Sequence, residues 1–134
     1  MKARMAFDKK LTLAAWLAVG GIGASHAELV DIKWGDGAFA HKASIAPSKF
    51  LEVCGKLKKD DSIDWRFKGT GPTNFNIHYH VGKDVVYPEN RKEIGSADGK
   101  LRVSLDQDFC WMWSNKGTQP VEVEVQLKQN PADK

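Results

Sequence analysis

The amino-acid sequence predicts an all-β fold, an antiparallel β-sandwich of seven or eight strands, from two observations. Apolar and polar residues alternate along most of the chain, and short segments rich in Gly, Asn, Asp and Pro separate the alternating runs. Alternation with a period of two is typical of strands that cover a core with one face and meet solvent with the other. Strands with one wet face usually form antiparallel sheets, and two such sheets bury their apolar faces against each other.

The alternating runs give the strands in chain order. One segment is ambiguous, because "SKFLEVCGKLKK" also fits a helical turn or two; Gly55 and the β-type spacing of Leu51 and Val53 favour a strand. The "GKD" turn predicts a hairpin that joins the strands at 75–81 and 84–87. The other predicted strands lie at 29–34, 63–68, 75–81, 84–87, 101–106, 109–114 and 121–127. The predicted turns lie at 35–37, 68–74, 82–84, 96–100 and 114–120.

Residues 1–27 predict a secretory signal peptide. The segment "MKARMAFDKK" is basic, "LTLAAWLAVGGIGA" is uncharged and apolar, and "SHA" places small residues at Ser25 and Ala27, where a signal peptidase reads them. The apolar run is short for a bilayer and is interrupted by glycines, so cleavage after Ala27 is favoured over a retained membrane anchor. We expect a periplasmic or secreted protein whose mature part, 28–134, is a single β-sandwich domain with no membrane span.

The charge of the expected mature chain argues against nucleic-acid binding. The whole sequence has 20 Lys and Arg residues and 17 Asp and Glu residues, and the first 27 residues hold 4 and 1 of them, which leaves 16 of each. A net charge of zero gives no basic surface for a phosphate backbone.

Cys54 and Cys110 are the two cysteines of the chain. In an exported protein an even pair at wide separation indicates a disulfide, whereas free thiols with one metal ligand are the alternative. A bridge would close a loop of 56 residues, worth about 4 kcal/mol in the chain-entropy model.

The succession "KLKKDDSIDWRF", "FNIHYHVGKDVV", a glycine turn, "FCWMWSN" and a closing valine strand resembles the GOLD (Golgi dynamics) β-sandwich domain over roughly residues 50–127. The resemblance implies a GOLD-like or jelly-roll-like sandwich that binds other molecules. In luminal cargo receptors of that family one cysteine lies in an early strand and another in the aromatic strand, which Cys54 and Cys110 match. This implies the disulfide. A coiled coil and a transmembrane segment follow the domain in those receptors, and their absence here removes the expectation of a role in vesicle traffic.

His78 and His80 are candidate ligands for copper or zinc. Residues i and i+2 of a strand share a face, so both imidazoles can reach one ion, on the side opposite Phe75 and Ile77. His41 or a carboxylate is the expected third ligand. A copper set that adds Cys110 and Met112 would form only if their strand lay beside the histidine strand. The alternatives are two polar residues on a wet face, or a pair that senses pH.

The aromatic strand "FCWMW" allows two interpretations. Trp111 and Trp113 can fill the sandwich core, which is the favoured reading. Alternatively Trp111, Met112 and Trp113 line a groove for a hydrophobic or sugar ligand.

The sequence contains no G-x-S-x-G, H-E-x-x-H or glycine-rich phosphate motif. We therefore expect a small exported, non-enzymatic binding or accessory module without a cofactor, whose partner is an unknown protein or small ligand. The alternative function is periplasmic copper or zinc binding through the His-x-His pair.

Overall fold

The computed structural model describes residues 27–132, which form seven β-strands and no helix. The predicted signal peptide lies outside these residues apart from Ala27. The strands are β1 (Glu28–Asp31), β2 (Ala38–Ile45), β3 (Phe50–Leu57), β4 (Ser62–Val81), β5 (Asp84–Arg102), β6 (Gln107–Ser114) and β7 (Val121–Asn130). The all-β prediction is confirmed, and the ambiguous segment that contains Cys54 is a strand.

The strands form one curled sheet in the order β1-β3-β6-β4-β7-β2, with β5 on β4. The long strand β4 pairs with β7 over 62–69 and with β6 over 74–78. It therefore belongs to both layers of the fold, one formed with β7 and β2 and the other with β6, β3 and β1. At the ends of the path, His41 of β2 contacts Glu28 of β1, which brings the two edges of the sheet together around one core. Among the described strands, β1 departs from the antiparallel expectation and runs parallel to β3.

Two predicted turns, 68–74 and 96–100, are wrong. Both segments continue as strand within the β4–β5 hairpin, where 96–100 pair with 64–68 and Thr73 pairs with Ile94. In the first, residues 69–72 lie opposite Gly95 alone and form a bulge, which accommodates Pro72 without a ladder hydrogen bond. In the second, Gly99 stands opposite Trp65, and a Cβ there would lie 2.7 Å from the indole ring. Glycine is thus needed for a close approach and makes no turn.

Strand β2 was missing from the sequence prediction. Its residues, "AFAHKASI", mix alanines with one lysine and one histidine, so the apolar alternation is weak. Its register along the whole of β7, from Ala38↔Lys128 to Ile45↔Val121, defines it as a strand. Pairing with a strongly alternating neighbour supplies the structure that local propensity does not.

The largest fully buried side chains of the core are aromatic. Trp111 and Trp113 are fully buried, so the core interpretation of these residues is confirmed. Phe75 lies between the two layers, with ring centroids 5.4 Å from Trp113 and 5.1 Å from Trp65. These separations are typical of favourable aromatic pairs.

Asn115, at the end of the "FCWMWSN" motif, is a buried polar residue with a structural role. Its Nδ2 donates to the carbonyls of Ile45 and Gln119 at 2.9 and 2.7 Å, and its Oδ1 accepts from the N–H of Gly117 at 2.9 Å. Because both ends of the amide are satisfied, the residue holds the β6–β7 loop against the end of β2.

Candidate functional site

The outward face of β3, β6 and the second half of β4 carries both cysteines and two of the three histidines among the described residues. We call it the histidine face, and its residues are Glu52, Cys54, Asn76, His78, His80, Cys110 and Met112. Two rows of directly paired residues cross it, Glu52↔Met112↔Asn76 and Cys54↔Cys110↔His78. The residues between these on each strand point into the core, which agrees with the predicted direction of the histidines.

Cys54 and Cys110 form a disulfide across β3 and β6, so the free-thiol alternative is wrong for this structure. The bridge joins two residues that are already opposite each other in the ladder. Strand β6 does lie beside the histidine strand, as the copper hypothesis required, but the sulfur of Cys110 is not a thiolate while it is bonded to Cys54.

His78 is buried, with only 6% of its surface exposed, although it points away from the core. Its Nε2 lies 3.0 Å from Oε2 of Glu52, and its Nδ1 lies 2.7 Å from Oδ1 of Asn76. The β4–β5 register shifts beside it, so that Tyr87 and Pro88 together stand opposite His78. The Tyr87 ring lies 6.0 Å from the imidazole and covers it on the hairpin side.

Burial lowers the pKa of His78, while the carboxylate of Glu52 acts in the opposite direction and the neighbouring His80 adds to the decrease. The lowered pKa favours the neutral imidazole. A neutral ring that donates Nδ1–H to Oδ1 of Asn76, at 2.7 Å, leaves the lone pair of Nε2 free on the side of Glu52. Neutral imidazole is the form that binds metal ions.

The structure keeps His78 and His80 on one face and places His41 elsewhere. The rings of His78 and His80 are 5.4 Å apart and nearly perpendicular, and His80 is exposed. His41 lies on β2, where its Nε2 is 3.3 Å from Oε2 of Glu28 and its ring stacks on Phe39. Because β2 pairs with β7, His41 is not part of the histidine face.

Within residues 27–132, one group of three potential metal ligands has its donor atoms within 4.8 Å of one another, and its members are Glu52, His78 and Cys110. The sequence prediction allowed a carboxylate as third ligand but did not identify Glu52. The available signal was that Glu52 and Cys54 share a face of one strand. Pairing of β3 with β6 was needed to place that face beside His78.

The predicted ligand groove does not form as proposed. Trp111 and Trp113 are sealed in the core, and Met112 alone of the three points outward, where it lies partly exposed on the histidine face.

The tip of the β4–β5 hairpin is an exposed apolar surface, which we call the hairpin tip. The predicted "GKD" hairpin is confirmed, with Val81 paired to Asp84. Within the described residues, four of the five exposed large hydrophobic side chains lie here, with 38–49% of their surface exposed. They are Val81, Val85, Val86 and Tyr87. Solvent exposure of a contiguous apolar group is typical of an interaction surface.

Comparison with solved structures gives several similar folds. The periplasmic g-type lysozyme inhibitor PliG of Aeromonas hydrophila is 13% identical, with a TM-score of 0.61 over 80% of this chain and 100% of that one. PliG of Salmonella Typhimurium is 8% identical, with a TM-score of 0.56 over 78% and 100%. The pre-peptidase C-terminal domain of a Bacillus anthracis collagenase is 9% identical, with a TM-score of 0.51 over 81% and 100%. No family model and no curated protein matches the sequence.

These likenesses establish a PliG-like β-fold. None of the three is a GOLD domain, so the GOLD resemblance remains one of apolar pattern. Two of the three are periplasmic inhibitors of g-type lysozyme. None of the described residues forms a helix with the length and apolarity needed to cross a membrane.

Proposed function

We propose that this chain is an exported, periplasmic, non-enzymatic binding protein whose partner is another protein. The exposed hairpin tip carries the proposal, because apolar side chains gathered at the end of a rigid hairpin suit a protein surface. The PliG-like fold supports it, since the two PliG proteins are periplasmic lysozyme inhibitors. A g-type lysozyme is therefore the partner proposed here.

Each face of the hairpin tip carries an exposed valine. Val85 pairs with His80 on the outward side, while Val86 pairs with Tyr79, whose ring packs on the core residue Phe109 at 4.7 Å. A partner that encloses the tip would remove these valines from water and would also cover His80. Burial of that kind is the main favourable term in most protein association.

The test is calorimetric titration of residues 28–134 with g-type lysozyme, together with an assay of cell-wall lysis. The parent is expected to bind and to slow lysis, and Val85→Ser with Val86→Ser is expected to weaken binding at least tenfold. Leu29→Ser is the matched control, because Leu29 is also an exposed apolar residue but lies on β1. No heat from the folded parent contradicts lysozyme as partner. Unchanged binding by the double variant contradicts the location.

Metal binding at His78 and Glu52 is the second candidate function, and the 3.0 Å separation of Nε2 and Oε2 favours it. Two donors at 2.0–2.1 Å from a tetrahedral zinc ion lie about 3.3 Å apart, so the pair is spaced almost as a shared ion requires. His80 is exposed on the same face, with its ring centroid 5.4 Å from that of His78, and is proposed to reach the ion as a third ligand by rotation of its side chain. Solvent completes the shell.

Titration of the oxidised protein with zinc or copper tests this candidate. Micromolar affinity that is lost in His78→Ala with His80→Ala supports it. His41→Ala is the control, since that residue lies on β2 and contacts Glu28; a loss of affinity there would restore His41 as a ligand. The absence of heat for a folded parent contradicts metal binding in the oxidised state.

A further inference from the structure

We propose that the Cys54–Cys110 disulfide closes a latent metal site of higher affinity, which opens when a dithiol reductant breaks the bridge. The reduced site would hold a zinc-class ion through the thiolates of Cys110 and Cys54, the Nε2 of His78 and the carboxylate of Glu52. The inference extends the second proposed function to the redox state of the same face, and it has its own spectroscopic test.

The positions of the donor atoms are the first support. The sulfur of Cys110, a ring nitrogen of His78 and a carboxylate oxygen of Glu52 lie within 4.8 Å of one another. Sulfur, nitrogen and oxygen donors on one tetrahedral zinc ion are about 3.3–3.8 Å apart. Side-chain rotations that move these donor atoms by about 1 Å would therefore bring all three to one ion. Cys54 stands opposite Cys110 in the ladder and supplies a fourth donor.

The scaffold that holds these donors does not depend on the bridge. Strands β3 and β6 are paired continuously from Phe50↔Ser114 to Leu57↔Gln107, on both sides of the two cysteines. Val53 precedes Cys54 on β3 and Trp111 follows Cys110 on β6, and both side chains point inward and are fully buried. Because this packing remains after reduction, the two thiols stay on the histidine face.

Reduction converts the two sulfurs from a disulfide into thiols. The S–S bond breaks as two electrons pass from the dithiol, which becomes a disulfide, and each protein sulfur takes up a proton. Metal binding then displaces the thiol protons, because the thiolate is the ligand form. A bound ion in turn holds both sulfurs away from reoxidation, so the metal affinity and the redox state of the pair are linked.

The face is accessible to a reductant. Cys54 is half-buried and the Glu52 side chain keeps 18% of its surface exposed, and both belong to the outward face of β3. The Nε2 of His78 lies beside them, 3.0 Å from Oε2 of Glu52. A closed bridge therefore leaves only oxygen and nitrogen donors, whereas an open bridge adds two sulfur donors.

Cobalt(II) is the probe, because a cobalt ion bound by thiolate shows a strong near-ultraviolet charge-transfer absorption that oxygen and nitrogen ligands do not give. The oxidised parent should give no such band. After reduction by a phosphine, which leaves as the phosphine oxide and adds no thiol, the band should appear with an affinity at least a hundredfold higher. In the reduced protein, His78→Ala and Glu52→Ala should each lower that affinity at least tenfold.

Single-cysteine variants make the test independent of the reductant. Cys54→Ser leaves the thiol of Cys110 inside the cluster and should give the band without reduction, while Cys110→Ser is the matched control and should bind at least tenfold more weakly. Circular dichroism reports folding. A folded, reduced parent without the band overturns the proposal, as does loss of the strand signal in both the reduced parent and Cys54→Ser. Cobalt binding by the oxidised parent without the band bears on the second proposed function alone.

Discussion

Oε2 of Glu52 lies 3.0 Å from Nε2 of His78, although β6 separates their strands. The contact is diagonal, because Glu52 stands opposite Met112 whereas His78 stands opposite Cys110. The carboxylate therefore extends over the disulfide strand and shields an outward histidine from water. Removal of either side chain would leave the other as a buried polar group without a hydrogen-bond partner, which costs stability.

Removing the charge of Glu52 is expected to weaken metal binding. Glu52→Gln keeps the shape of the side chain but replaces a carboxylate donor by an amide, and zinc affinity of the oxidised protein should fall roughly tenfold or more. Calorimetry measures the change. Glu122→Gln is the control, since Glu122 is a half-exposed carboxylate on β7 that contacts Lys42; equal losses in the two variants would contradict a specific site.

Loss of the disulfide is expected to destabilise the fold without abolishing it. The double variant Cys54→Ser with Cys110→Ser should lower the free energy of unfolding by about 4 kcal/mol, because the open chain gains the freedom of a 56-residue loop. Urea denaturation of the double variant and of the reduced parent should give the same loss. A midpoint equal to that of the oxidised parent would contradict a role of the bridge in stability.

Trp111→Ala is expected to lower the free energy of unfolding by about 3–5 kcal/mol, because it leaves a large cavity among fully buried side chains. Its neighbour Met112 points outward and is partly exposed, so Met112→Ala should cost about 1 kcal/mol or less. Denaturant titration of both variants compares the two faces of β6. Similar losses would show that the alternation of this strand is misassigned.

The carboxyl group of Asp64 is expected to titrate below its ordinary range. The side-chain hydrogen bond from Lys100, at 2.7 Å, lowers its pKa, and the amide of Asn130, at 2.9 Å, adds to the effect. A lowered carboxyl pKa contributes stability above the pKa of the unfolded chain, and this contribution is lost as the pH falls through the pKa of the folded state. Carboxyl-carbon NMR measures the titration directly.

Lys100→Met should raise the pKa of Asp64 towards its ordinary value. The comparison variant is Lys56→Met. The amine of Lys56 lies 3.9 Å from Asp108 and does not contact Asp64, so its removal should leave the titration of Asp64 unchanged. An unshifted Asp64 in Lys100→Met would mean that the contact does not set its pKa.

Alternation in the sequence was sufficient to predict the strand class and the inward and outward faces. It placed Ile77 in the core and His78 outside because side-chain direction along a strand depends only on parity. It did not predict that His78 is buried, since that depends on Glu52 from another strand and on Tyr87 from a bulge. Pairing between distant segments sets both contacts, and a single sequence does not specify it.

The errors in the turns have a related cause. Gly, Asn and Pro at 68–74 favour a turn when the segment is considered alone. In the folded chain the same residues form a bulge in β4, because 62–68 and 75–81 are held in line by pairing with β5. Glycine in a strand indicates a bulge or a close approach as well as a turn, and the neighbouring strand decides which.

The shared strand β4 has a mechanical consequence. Since 62–69 bind one layer and 74–78 bind the other, neither layer can peel away while its companion stays intact. Amide protons on both sides of the bulge should therefore exchange with solvent through a single concerted opening. A pulling force on the hairpin tip would therefore be transmitted along the backbone of β4 to both layers of the fold.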